Sequence, residues 1–265
     1  MSTAHDTAAL LPDPAELRAH LRALAVLDAA IGDDPRFRQY TFNAAWGPGV
    51  EAALMDNGSG DDFSVLFTPA GVLIRGFDHE SEMSPYGTDD EEVWPGVIDD
   101  VPAALRPLLD EPAFRDEGID APRVTACLWR ETHDPAWRTG SGIAFPAGSE
   151  DPDGSGFLFH LLTDRSPEAV QAHFKDYYER PVPLDPIRHV LAGHPLTPAV
   201  AAALNPAARP GGAAPQRIAA RPEAASHPPR DGELDPSGTD RLESTTLPDG
   251  LPVGPVGDRS TGGTH

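Results

Sequence analysis

The string "YTFNAAWGPGVEAALMDNGSGDDFSVLFTPAGVLIRGF", residues 40–77, decides the fold. Tyr40, Phe42, Ala44 and Trp46 alternate with Thr41 and Asn43, the period of a strand with one buried face. Beyond Gly47-Pro48-Gly49 a second strand fits Val50 to Asp56, and Asn57-Gly58-Ser59-Gly60 supplies a turn. Phe63 to Thr68 returns, Pro69-Ala70-Gly71 turns again, and Val72 to Phe77 completes the run. Connections this short leave no room for crossover helices, so the segment predicts an antiparallel meander.

Working outward, Asp13-Pro14-Ala15-Glu16 is a helix start: a capping carboxylate, a proline whose missing N–H is not needed in the first turn, and an acid that closes a capping box. Leu17, Leu21, Leu24 and Ile31 then recur at helical spacing up to Gly32. Residues 1–12 before it are expected to be a flexible N-terminus. Downstream, Pro102 to Asp110 reads as a short helix troubled by Pro107, and Arg123 to Arg130 as a strand. Its hairpin partner is expected at Trp137 to Phe145, loosened by Gly140 and Gly142. Ser166-Pro167-Glu168 opens another helix, and Thr197 to Leu204 fits a last one. Strands in runs with helices at the ends give α+β: a mainly antiparallel sheet, meander plus hairpin, with N- and C-terminal helices packed on it in a single domain over 13–205. Residues 206–265 hold no Phe, Trp or Tyr and are dominated by Pro, Gly and Ala, so they are expected to form a disordered tail.

Charge narrows the partners. The chain carries 42 acidic and 20 basic residues, and residues 1–205 hold 34 acidic against 14 basic ones. A field of that sign repels nucleic-acid backbones and anionic lipid surfaces and favours a basic protein partner. Cys127 is the only cysteine, which excludes an internal disulfide and a multi-cysteine zinc site. With no signal-peptide pattern and no run of eighteen apolar residues, no membrane association and a cytoplasmic location are expected.

Familiar chemical motifs fail on mechanism. Gly47-Pro48-Gly49-Val50-Glu51-Ala52 matches a dinucleotide fingerprint by letters, but no long helix follows to hold a pyrophosphate. Asp151-Pro152-Asp153-Gly154 resembles a calcium-loop start, yet neither possible frame supplies the bidentate Glu at the twelfth position. His79-Glu80-Ser81-Glu82-Met83 begins like a zincin helix, and Met83 stands where the second histidine is needed. These failures leave neither a cofactor nor a metal expected.

The densest chemistry lies in "GFDHESEMSPY", residues 76–86. Asp78, His79, Glu80 and Glu82, with Asp89, Asp90, Glu91, Glu92 and Trp94 beyond them, form the candidate partner-binding segment: carboxylates for a basic surface and a loop tryptophan as anchor. The competing reading is a hydrolase or metal-dependent enzyme in which His79, Glu80 or Glu82 meets His133 or Asp134 in space.

The motifs "FDHESEMSPY" (77–86), "WPGVIDDVP" (94–102), "EPAF" (111–114), "VTACLWR" (124–130), "DPDG" (151–154) and "DYYE" (176–179) together resemble a family of uncharacterised bacterial proteins. The resemblance spans about Tyr40 to Pro206. It implies a bacterial origin and a coherent domain, and transfers no catalytic residue. A non-enzymatic, acidic protein-binding module of the immunity or regulatory type is the expected function.

Overall fold

The computed structural model describes residues 2–87, 91–116 and 118–207. The fold is α+β. Six strands, β1 (Tyr40–Gly47), β2 (Val50–Asp56), β3 (Asp62–Thr68), β4 (Gly71–Phe77), β5 (Ala126–Glu131) and β6 (Arg138–Thr139), form one antiparallel sheet in chain order. The expected meander is present, with Thr68 paired to Gly71 across the Pro69-Ala70 turn and Gly47 to Val50 across Pro48-Gly49.

Helices cover one face. α1 (Ala4–Leu10), α2 (Pro14–Ile31), α3 (Ser155–Leu158), α4 (His160–Thr163), α5 (Pro167–Tyr177), α6 (Leu184–Leu191) and α7 (Pro198–Leu204) gather there. Leu17, Leu21, Leu24, Phe159 and Phe174 pack with Phe42, Met55, Phe63, Val65 and Ile74 of the strands. The opposite face is covered by residues 83–87 and 91–114, where Met83, Val97, Val101, Leu105 and Leu109 pack on Leu73, Cys127 and Trp129. Cover on both sides is why every residue of β4 is buried.

Several elements depart from expectation for local reasons. The segment before Asp13 is not loose: Thr3 donates from its amide and hydroxyl to Asp6 (3.0 and 2.8 Å), α1 forms, and Ala4 is fully buried. The backbone at Pro12 is fixed by the Trp137 indole, which donates to its carbonyl (2.6 Å). A register shift between Asn43 and Gly47 turns Trp46 to the face opposite Phe42, where it stacks on Phe114 at 5.5 Å and 8°. The helix expected over Pro102–Asp110 contracts to a 3-10 turn at Arg106–Asp110, because Pro107 has no amide to donate. The expected strand Trp137–Phe145 shrinks to β6; just beyond it Gly140 lies so close to the Gly96 carbonyl that no Cβ would fit there. The expected tail lies, from residue 208 on, outside the described residues.

Cys127 is fully buried in the outer-face core and burial pushes its thiol up to about 12, so it is packing material rather than a nucleophile. Two histidines are also withdrawn from solvent, His20 buried and His173 partly so. His20 on α2 lies against the Leu161 carbonyl (2.9 Å), and His173 on α5 against Gln39 Oε1 (2.8 Å); burial pulls both down to about 4. The unfolded chain therefore takes up these protons first as pH falls. Stability should drop as pH falls from 6.5 to 4, by up to about 3 kcal/mol per histidine, and level off below. Chemical denaturation across that range checks this: the double variant His20→Gln/His173→Gln should show a flatter profile, and an unchanged slope would contradict it.

Candidate functional site

The site begins in the β2–β3 turn. Asn57 folds it on itself, accepting from the amides of Ser59 (2.8 Å) and Asp61 (3.2 Å) and donating to Asp61 Oδ2 (2.6 Å). Gly58 and Gly60 take the positive φ angles the turn requires, 75° and 109°. Asp61 is thereby held at the sheet end, only 5% exposed.

At the same end the chain leaves β4 into "DHESEM". The Asp78 amide donates to Thr125 Oγ1 (3.2 Å), and the His79 amide donates to Asp61 Oδ1 (2.9 Å). His79 Nδ1 lies 2.6 Å from the same oxygen, and the carboxylate fixes the proton on Nδ1. Nε2 is left facing outward, 4.0 Å from Glu80 Oε1. Asp78 Oδ1 accepts from the Glu80 amide (2.9 Å), while Ser81 Oγ donates to the Pro152 carbonyl (2.7 Å) and accepts from the Met83 amide (3.0 Å). Met83 is fully buried. The loop is thus pinned from inside at both ends, while Glu80 and Glu82 face solvent.

Its electrostatics follow from these contacts. Burial pushes the Asp61 carboxyl up, but the His79 amide, the His79 ring and Asn57 outweigh it and hold the group below the usual range. The hydrogen bond to Asp61 raises the exposed His79 imidazole. Asp78 shifts upward, first through burial and then through the nearby charges of Asp61 and Asp151.

The sequence-expected site is only partly assembled. Asp78, His79, Glu80 and Glu82 share one loop, and Asp61, absent from the expected set, joins them. Its signal was available: counting back from the Pro69-Ala70 turn places Asp61 directly across from Asp78. His133 and Asp134 are not nearby. Gly71 pairs with Glu131 and Gly76 with Ala126, so the turn after β5 lies at the other end of the sheet, about 20 Å away along β4 at the usual strand rise. There Asp134 pairs with Arg138 (2.9 Å) and its carbonyl accepts from Arg130 (3.0 Å), a structural role.

Trp94 is half-buried against the outer-face core and donates to the Ala144 carbonyl (3.0 Å). Glu91 and Glu92 are exposed, whereas Asp89 and Asp90 lie outside the described residues. The Asp151–Gly154 stretch is a cap: Asp151 accepts from the Gly156 and Phe157 amides (3.0 and 2.8 Å), and fully buried Asp153 accepts from Ala4 (2.7 Å) and Ser155 (3.0 Å).

What the arrangement can do chemically is limited and specific. A buried carboxylate orienting an imidazole leaves Nε2 able to exchange a proton at the surface. Asp61, Asp78 and His79 also each offer one ligand atom, all within 4.8 Å of one another, although no metal ligand was expected from the sequence. Two surface grooves, of 880 Å³ along Trp129, Trp137 and α1 and of 320 Å³ beside Arg18 and Glu51, are lined by none of these residues. No family model, no curated protein and no solved structure matches the chain.

Proposed function

We propose that this chain is a non-enzymatic acidic module of bacterial origin, immunity-type or regulatory, that binds a basic protein. The observation that carries the reading is the construction of the β4 exit loop. Its backbone is fastened by Asp61, Thr125, Pro152 and buried Met83, so Glu80 and Glu82 are presented to solvent from a rigid platform. Elsewhere arginines are taken up by intramolecular carboxylates, as in Arg18–Glu51, Arg130–Asp13, Arg165–Glu16 and Arg188–Glu168. The acidic surplus of residues 1–205 is therefore available to a partner. Preordered carboxylates favour fast encounter with a cationic surface and reject acidic competitors.

A second reading has one specific observation behind it. The Asp61–His79 pair has the form of an oriented general base, and it replaces the His79–His133/Asp134 pairing as the core of any hydrolytic or metal-dependent site. Capture by the immobilised chain from a bacterial lysate separates the two. A basic protein should be retained by the native chain and by His79→Ala, and released at lower salt by Glu80→Gln/Glu82→Gln. Loss of function in His79→Ala alone, with the carboxylate variant unaffected, would favour the enzyme instead.

A further inference from the structure

We infer that Asp61, Asp78 and His79 form a binding site for a single divalent transition-metal ion of the zinc type, at the end of the sheet where the β2–β3 turn meets the exit of β4. The site uses neither Glu80 nor Glu82, so it stands or falls independently of the partner-binding reading.

The donor set is one imidazole nitrogen and two carboxylate oxygens contributed by two chain segments. Ligands of one ion at about 2.1 Å lie some 3 to 4 Å apart, so atoms already within 4.8 Å of one another need small side-chain adjustments and no backbone movement. The backbone that carries them is fixed. The His79 amide is bonded to Asp61, and the Asp78 amide to Thr125, which is fully buried and donates in turn to the Asp153 carbonyl (2.8 Å).

Space around the ligands is kept clear by two glycines. A Cβ at Gly60 would come within 3.3 Å of the His79 ring, and one at Gly154 would collide with the Asp78 carboxylate; both glycines hold positive φ, at 109° and 71°. Two unrelated loops thus give up side chains where the donors need room. The ion takes the place of the Nδ1 proton that His79 gives to Asp61, and that proton passes to Nε2 or to solvent. A nitrogen donor selects borderline ions such as Zn²⁺ or Co²⁺ over Ca²⁺ and Mg²⁺, which prefer all-oxygen shells.

The full chain, stripped with chelator and exchanged into buffer, is titrated calorimetrically with Zn²⁺, Co²⁺, Ca²⁺ and Mg²⁺. The expected result is one equivalent of Zn²⁺ and of Co²⁺, the latter with a visible absorption band, and no comparable binding of Ca²⁺ or Mg²⁺. Affinity should fall about tenfold or more in His79→Ala and in Asp61→Asn and stay unchanged in Glu168→Gln, whose carboxylate pairs with Arg188 away from the site. Should either variant fail to fold by circular dichroism, Asp78→Asn carries the same expectation. No saturable Zn²⁺ binding would overturn the site. So would native affinity in the folded variants, which places the ion elsewhere, for instance at the His189–His194 pair, whose rings are 4.9 Å apart.

Discussion

Asp28→Ala should remove about 3–5 kcal/mol of stability, a large share of what a domain of this size commands. Asp28 is a fully buried carboxylate on α2 at the point where three elements converge. It accepts from the Tyr40 amide at the head of β1 (2.6 Å) and from the Tyr178 hydroxyl just past the end of α5. Burial raises its carboxyl, against the opposing pull of Tyr178, the Tyr40 and Gln39 amides and the charge of Arg38. Alanine leaves these donors inside the protein without an acceptor, each costing about 1–3 kcal/mol. Tyr178→Phe, which deletes one donor and keeps the ring, should cost only about 1 kcal/mol. Urea denaturation of both variants measures the difference. Equal, small losses would show that Asp28 is not the junction between helix layer and sheet.

Arg75→Ala should cost about 3 kcal/mol or more and loosen one segment selectively. Arg75 is 2% exposed at the centre of the sheet, with Ser64 and Cys127 beside it on the neighbouring strands. Burial lowers its guanidinium to about 10, so it remains charged at neutral pH. It donates to the carbonyls of Leu109 (3.5 Å) and Phe114 (3.0 Å) and lies 4.6 Å from the centre of the Phe114 ring. These contacts fasten the cover over the outer face. Hydrogen exchange should therefore accelerate in residues 105–116 more than in α2 or α5. Arg75→Met, which keeps an unbranched apolar stem and removes the buried charge, should lose less than half as much stability. Uniform acceleration across the molecule would contradict the fastening role.

The meander was legible because its information is local. Alternation and tight turns fix β1 to β4 to within a residue or two, and the Pro69-Ala70 turn fixes the register that sets Asp61 beside Asp78. The cover formed by residues 83–87 and 91–114 was not legible. It has no helical or strand period, is built from prolines and 3-10 turns, and earns its place through contacts with Leu73, Cys127 and Trp129, distant in sequence. α6 escaped notice because Pro186 sits near its start and only Ile187 and Val190 are buried. Of the candidate site, the loop Asp78–Glu82 was visible as a concentration of charge. Its true partner Asp61 and its separation from His133 depend on strand pairing, which the loop's own residues do not encode.

The most direct test of the partner-binding account is the rate at which the captured basic protein associates with the native chain and with Glu80→Gln/Glu82→Gln, measured from about 0.01 to 1 M salt, where the screening length falls from about 30 to 3 Å. The account predicts a native rate that falls steeply with salt, a slower and flatter response in the variant, and convergence of the two at high salt. A native rate that ignores ionic strength, or identical curves for both proteins, would contradict it.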